Sequence, residues 1–200
     1  MRKKVRSVCV YCGSSVGAKR EYAEAARGVG RLLAERGITL VYGGGSIGLM
    51  GVLADAALGA GGKVVGVIPQ GLRTRELAHE GLSELITVES MHARKQTMVD
   101  RSDAFIALPG GIGTLDELFE TFTWLQLGIH DKPVGILNAA GYYLPLIELI
   151  RNMAAERFLK QEHFDCLLID DDIERLVDRL QSFSALGQGK WVQAPQRLEP

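Results

Sequence analysis

Short apolar runs of strand length alternate along the chain with longer segments in which apolar residues recur at every third or fourth position. The runs predict strands near 5–11 (VRSVCVY), 38–43 (ITLVYG), 63–68 (KVVGVI), 84–88 (ELITV), 104–109 (AFIALP), 133–137 (PVGIL) and 166–170 (CLLID). The segments between them predict helices over about 20–36, 47–60, 91–101, 114–128, 142–155 and 171–182. In the first helix Tyr22, Ala25, Ala26, Val29, Leu32 and Leu33 form one stripe, and Gly37 stands where a C′ glycine would end it. Regular alternation of this kind gives an α/β fold: a Rossmann-like, doubly wound, mostly parallel sheet of about seven strands with helices on both faces. Residues 1–183 read as a single nucleotide-binding domain, and 184–200, with two glycines and two prolines, as a tail. That tail is either disordered or docked through Trp191.

The helix predicted over 114–128 breaks the one-stripe rule. Leu115, Leu118, Phe119, Phe122, Trp124, Leu125 and Leu127 cannot share one face, so the helix is buried on two sides. A symmetric dimer through this helix is the expectation.

Composition narrows the function. The 200 residues carry a formal net charge of -1, with no basic excess for nucleic acid or a membrane surface, and a small ligand is the better expectation. No apolar run approaches the roughly 18 to 20 residues of a membrane span, and the start of the chain lacks a cleavage signal, which predicts a cytoplasmic protein. Cys9 and Cys12 form a CxxC, and Cys166 makes three cysteines. A redox pair would open a helix and a zinc site would need two more ligands, whereas Cys9 lies in a strand and His79, His92, His130 and His163 are scattered. Buried, reduced thiols are expected instead. His130 and Asp131 read as a turn before Pro133 and not as a metal pair.

Two glycine loops follow strands and open helices, at the carboxyl edge where such sheets bind ligands. In VYGGGSIGLMG, Gly43, Gly45 and Gly48 match G-x-G-x-x-G, but the next strand ends in Ile68, Pro69 and Gln70, without the acid a dinucleotide site needs. That leaves a mononucleotide, a sugar phosphate, or tight helix packing. In PGGIGTLDE, Gly110, Gly111, Gly113 and Thr114 offer themselves to an anion without the lysine of an ATP-type loop. Thr114 and Glu117 equally suit a capping box with Thr114 as N-cap. The segment ESMHARKQTMVDRS favours a ligand. With Ser90 as N-cap, Arg94 and Lys95 lie near a helix N-terminus, where cations are disfavoured, and at the border of the Met91 and Met98 stripe. Since consecutive strands are usually neighbours, Arg94 and Glu117 are expected to face each other across one crevice. The loop after the strand at 63–68 could bring Arg73, Arg75 or Glu76 over the ligand.

MHARK, PGGIGTLDE and TWLQLGIHDKPVGILNAAGYY, together with CVYCGSS and YGGGSIGLMG, resemble the LOG (Lonely Guy) family of cytokinin-activating nucleotide phosphoribohydrolases, whose bacterial members were often labelled lysine decarboxylases. The resemblance implies hydrolysis of the N-glycosidic bond of nucleoside 5′-monophosphates, N6-prenylated AMP or AMP itself, without metal or cofactor. By motif position it makes Arg94 and Glu117 the catalytic pair. It places Lys95, Gly110, Gly111, Ile112, Gly113, Thr114 and Asp116 at the substrate, with Glu76, Thr123, Gly43, Gly44 and Ser14. It also implies a homodimer packed through the helix of the second motif. Two rivals stand beside it: a non-catalytic nucleotide or molybdenum-cofactor carrier, and a decarboxylase with Lys95 as a pyridoxal Schiff base, for which the chain offers no second domain.

Overall fold

The computed structural model describes residues 4–73 and 78–184. Arg75, Glu76 and Trp191 lie outside the described residues. Seven strands, β1 (Ser7–Tyr11), β2 (Thr39–Tyr42), β3 (Val64–Pro69), β4 (Glu84–Val88), β5 (Ala104–Ala107), β6 (Val134–Leu137) and β7 (Leu167–Asp170), form one sheet in the order β4-β3-β2-β1-β5-β6-β7. Every pairing is parallel. The helices are α1 (Arg20–Glu35), α2 (Gly48–Gly59), α3 (Met91–Asp100), α4 (Ile112–Gln126), α5 (Leu144–Ala155), α6 (Gln161–Asp165) and α7 (Ile173–Ser182). One core layer joins α1, α2 and α7 to the sheet through Leu33, Leu53 and Leu176, and the other joins α3, α4 and α5 through Met98, Leu118, Phe122 and Ile147. The doubly wound α/β expectation therefore holds, with α6 an addition that has only five residues and no usable period.

Local signals explain the element ends. Ser90 caps α3 by accepting from the Ala93 amide at 3.1 Å. Gly37 follows α1 with φ +65°, the left-handed position a C′ glycine supplies. Pro145 opens α5 in the first turn, where a missing N–H costs nothing.

Strand order differs from the expectation in one place that matters. The strands at 84–88 and 104–109 are not neighbours: β4 is an edge strand, β5 pairs with β1, and β3, β2 and β1 lie between them. The chain reverses its direction of travel across the sheet here, so β1 and β5 flank the topological switch point, where open α/β sheets leave a crevice. Helix α3 makes the return crossing, packing over β3 and β4.

Candidate functional site

At that switch point lies a cavity of about 240 Å³ lined by Val10, Cys12, Gly13, Ser14, Gly43, Met50, Arg94, Gly111, Ile112, Gly113, Thr114 and Glu117. Two loops, one after β1 and one after β5, meet at its floor: Gly13 donates its amide to the Pro109 carbonyl at 3.1 Å.

Arg94 is the buried cation of the site. Its Nε donates to the Val67 carbonyl at 3.1 Å and its Nη2 to the Gly43 carbonyl at 3.0 Å, which anchors the guanidinium to the ends of β3 and β2. Nη1 is left 3.9 Å from Oε1 of Glu117. The two side chains are 8% and 12% exposed, so this pair works in a poorly solvated place where charge acts strongly. Arg94 and Glu117 do face each other across one crevice, although the strands ahead of their helices are not adjacent; α3 carries Arg94 back across the sheet.

The capping-box reading of Thr114 is corrected. Gly111 is the N-cap of α4, with extended backbone and no side-chain cap, and Thr114 is buried in the first turn. The reason is steric: Thr114 Oγ1 fills the space where a Cβ on Gly110 would stand, 2.1 Å away, and the helix starts three residues earlier than a threonine cap allows. Glu117 turns toward Arg94 instead of back to the helix end.

The two cations of α3 divide their work. Lys95 pairs with Asp116 at 3.2 Å and Glu120 at 3.0 Å, so the unfavourable helix end is offset by side chains of α4 and not by a ligand alone. Burial pulls the Lys95 ammonium down, but hydrogen bonds and charge from Glu120 and Asp116 outweigh it and leave its pKa raised. Lys95, Gly110, Asp116, Gly44 and the exposed Thr123 are not among the residues lining the cavity. Gly44, at φ +79°, faces Ile68 of β3. Arg73 lines a separate depression with Ser46, His79 and Leu85, and Glu76 lies outside the described residues.

The first glycine loop serves packing more than anion approach. A Cβ on Gly43 would stand 2.0 Å from Arg94 Nη2, and one on Gly48 would stand 2.2 Å from the Ser14 carbonyl carbon. Gly43 thus makes room for the catalytic candidate itself, a relation between distant segments that no local motif announces.

Cys9 and Cys12 are buried and unpaired, and burial pushes both thiols up, with the nearby Glu117 charge adding to it. A thiol held protonated is a wall group and not a nucleophile. Cys12 was expected only as a buried, reduced thiol, and Val10 and Met50 were not singled out by sequence reasoning, since they look like ordinary core; their signal as site residues is that each sits near a strand's carboxyl end or a glycine loop. Among the described residues no group of three or more His, Cys, Asp or Glu is placed to hold a metal. No helix among them is long and apolar enough to cross a membrane.

Comparison with known proteins places this geometry. The family model described as "Possible lysine decarboxylase" matches residues 50–180. The chain is 48% identical over 183 residues to the Arabidopsis thaliana protein named cytokinin riboside 5′-monophosphate phosphoribohydrolase LOG3, covering 92% of this chain and 85% of that one. It is 47% identical over 184 residues to a probable rice (Oryza sativa subsp. japonica) enzyme of the same name, LOGL2, covering 92% and 75%. Among solved structures, the molybdenum cofactor binding protein of Rippkaea orientalis superposes with a TM-score of 0.69 at 25% identity, covering 91% of this chain and 98% of that one. The molybdenum cofactor carrier protein of Chlamydomonas reinhardtii does so at 0.69 and 20%, covering 90% and 100%, a likeness of fold alone. With a family model over more than half its length and relatives near half identical over nine-tenths of it, this chain belongs to the LOG family, that of the cytokinin riboside 5′-monophosphate phosphoribohydrolases.

Proposed function

We propose that the protein hydrolyses the N-glycosidic bond of a nucleoside 5′-monophosphate, N6-prenylated AMP or AMP, to the free base and ribose 5-phosphate. The observation that carries this reading is the Arg94–Glu117 pair, 3.9 Å apart in a small cavity that the N-terminus of α4 also lines.

Cleaving the C1′–N9 bond builds positive charge on the ribose, an oxocarbenium-like state. A carboxylate beside C1′ stabilises that charge and can orient or deprotonate the attacking water. Glu117 takes this role. The free amides of the first turn of α4 and the 110–113 loop suit a phosphate, as helix N-termini do. Arg94, with one nitrogen turned to Glu117, completes the site by binding the phosphate or by donating to the departing purine. Lys95 and Asp116, ion-paired to each other, flank the site, and Asp116 is assigned to the ribose hydroxyls. Glu76, Thr123, Gly44 and Ser14 complete the assignment by motif position. No step in this scheme calls for a metal or cofactor.

The working unit is proposed to be a homodimer packed through α4. Leu118 and Phe122 of that helix are buried against the sheet, while Leu115, Phe119, Trp124 and Leu125 are only half-buried, the second apolar side that a partner copy would cover. Three cysteines outside any disulfide suit the cytoplasm, where thiols stay reduced.

Incubation with AMP and with isopentenyl-AMP, followed by separation of base from nucleotide, tests the reaction. Free adenine or isopentenyladenine together with ribose 5-phosphate is expected. Nucleotide that binds and is recovered unchanged would support the carrier reading instead.

A further inference from the structure

Three successive carbonyls of the turn between β5 and α4 are each held from behind. Leu108 accepts from the Tyr143 hydroxyl at 2.6 Å, Pro109 from the Gly13 amide at 3.1 Å, and Gly110 from the Tyr142 hydroxyl at 2.5 Å. The two tyrosines are adjacent in sequence, and both come from the connection between β6 and α5.

That connection is built to deliver them. Ala140 and Gly141 both lie at positive φ, +48° and +73°, and the Asn138 side chain accepts from the Tyr143 amide at 2.8 Å. Two left-handed residues in succession bend the chain so that adjacent side chains reach the same neighbouring turn from different heights. The rings are locked in turn: Tyr142 meets Tyr143 edge-on at 5.0 Å and Tyr22 of α1 at 5.5 Å. Tyr22 also packs against the loop after β1, where a Cβ on Gly17 would stand 2.8 Å from its ring. The loops after β1, β5 and β6 are therefore tied together by aromatic contacts and hydroxyls.

In a trans peptide the N–H points away from the carbonyl of the residue before it. Holding the Gly110 carbonyl on Tyr142 therefore turns the Gly111 amide the other way, and Gly111 lines the cavity. Neither tyrosine is among the residues that line the cavity, and each hydroxyl is engaged on a backbone carbonyl of the turn. We propose that Tyr142 is a positioning residue: its hydroxyl fixes the Gly110 carbonyl and so aims the Gly111 amide at the phosphate of the substrate, while Tyr143, whose hydroxyl holds the Leu108 carbonyl ahead of a proline without an N–H, supports it by fixing the entry to the turn. The proposal rests on the phosphoribohydrolase reading for the identity of the ligand, a sugar 5-phosphate.

The test is direct binding of ribose 5-phosphate by calorimetry, which needs no turnover, to the wild-type protein and to Tyr142→Phe and Tyr143→Phe, with adenine binding and the melting temperature measured alongside. Tyr142 is 39% exposed, so its variant keeps the fold and carries the test; Tyr143 is buried and is interpreted only beside its melting curve. Tyr142→Phe is expected to weaken ribose 5-phosphate binding about 3- to 10-fold, the scale of one neutral hydrogen bond, with adenine binding and melting unchanged. With AMP as substrate the loss should fall on KM more than on kcat. Unaltered ribose 5-phosphate affinity in Tyr142→Phe overturns the proposal, as does equal loss for adenine or a wild-type protein that does not bind ribose 5-phosphate. A wild type that binds ribose 5-phosphate through the tyrosines yet releases no base leaves the clamp standing and removes only the hydrolase reading.

Discussion

Arg94 reaches Glu117 with a single nitrogen, Nη1 at 3.9 Å, because its Nε and Nη2 already hold the carbonyls of Val67 and Gly43. A lysine could not reproduce this three-way arrangement, since its ammonium is a point charge without a planar fork. Arg94→Lys and Arg94→Ala should each lower base release from AMP by about 100-fold or more. Arg94→Ala should also lose about 1–3 kcal/mol of stability, the cost of leaving buried acceptors without a donor. Wild-type turnover by either variant, measured as free adenine, would remove Arg94 from the chemistry.

Glu117 gives the complementary case. Glu117→Gln keeps the shape and removes the charge that would stabilise a ribosyl cation, so a loss of about 100-fold or more in kcat is expected, with ribose 5-phosphate binding retained. Parallel loss of binding and turnover would mean that the carboxylate only supports the fold of the site.

Gly43 offers a test that touches no reacting group. A methyl there would meet Arg94 Nη2 at 2.0 Å, and the guanidinium, held on its other side by Val67, would have to move. A displacement of about 1 Å near reacting groups can cost on the order of 100-fold in rate, so Gly43→Ala should lose roughly 10- to 100-fold in kcat/KM. Unimpaired catalysis in Gly43→Ala would show that the guanidinium's seat does not matter.

What the sequence made legible was local. The Ser90 cap, the Gly37 stop and the period of α1 depend on neighbours within a few positions, and each is visible in the string of residues. Arg94 stood out as a cation at a helix start, where it is disfavoured, whereas Glu117 suited a capping box equally well and was paired with Arg94 as catalytic by the family resemblance. Their closeness had a different cause from the one expected: strand adjacency suggested it, but the crossover from β4 to β5 over three strands produces it. Such a crossover is decided by long-range packing, which leaves no trace in periodicity. The same is true of the Tyr142 hydroxyl on Gly110, which depends on a left-handed Ala140, and of Gly43, whose missing side chain is explained only by a residue 51 positions away.

The dimer proposal has its own measurement. Leu127 and Ile129, at and just beyond the end of α4, are 51% and 63% exposed, and Ile112 at its start is 82% exposed. In sedimentation the wild type should run as two copies of the 21.8 kDa chain, and Leu127→Asp with Ile129→Asp should shift it toward one. A monomeric wild type would refute the interface.

His130 predicts how the fold responds to acid. Its Nε2 contacts the Thr121 carbonyl at 3.0 Å and its Nδ1 accepts from the Lys132 amide at 3.2 Å, so the neutral ring with the proton on Nε2 satisfies both. Burial lowers its pKa, and the Lys132 charge adds to that against the opposing hydrogen bond to Thr121. A histidine whose folded pKa is lowered gives its full stability above the ordinary value of about 6.5 and loses it as pH falls from there toward the folded value. Protonation would also set an N–H against the Lys132 amide, in a segment that holds α4 through Thr121 and, beyond it, the Tyr11 hydroxyl at 2.8 Å. The melting temperature should therefore drop between about pH 7 and pH 5. His163, lowered by its own burial, adds a slope of the same sign. His130→Gln should melt lower than wild type at pH 7 but with a flatter pH dependence, read by circular dichroism across that range. An unchanged slope in the variant would mean that the acid sensitivity arises elsewhere.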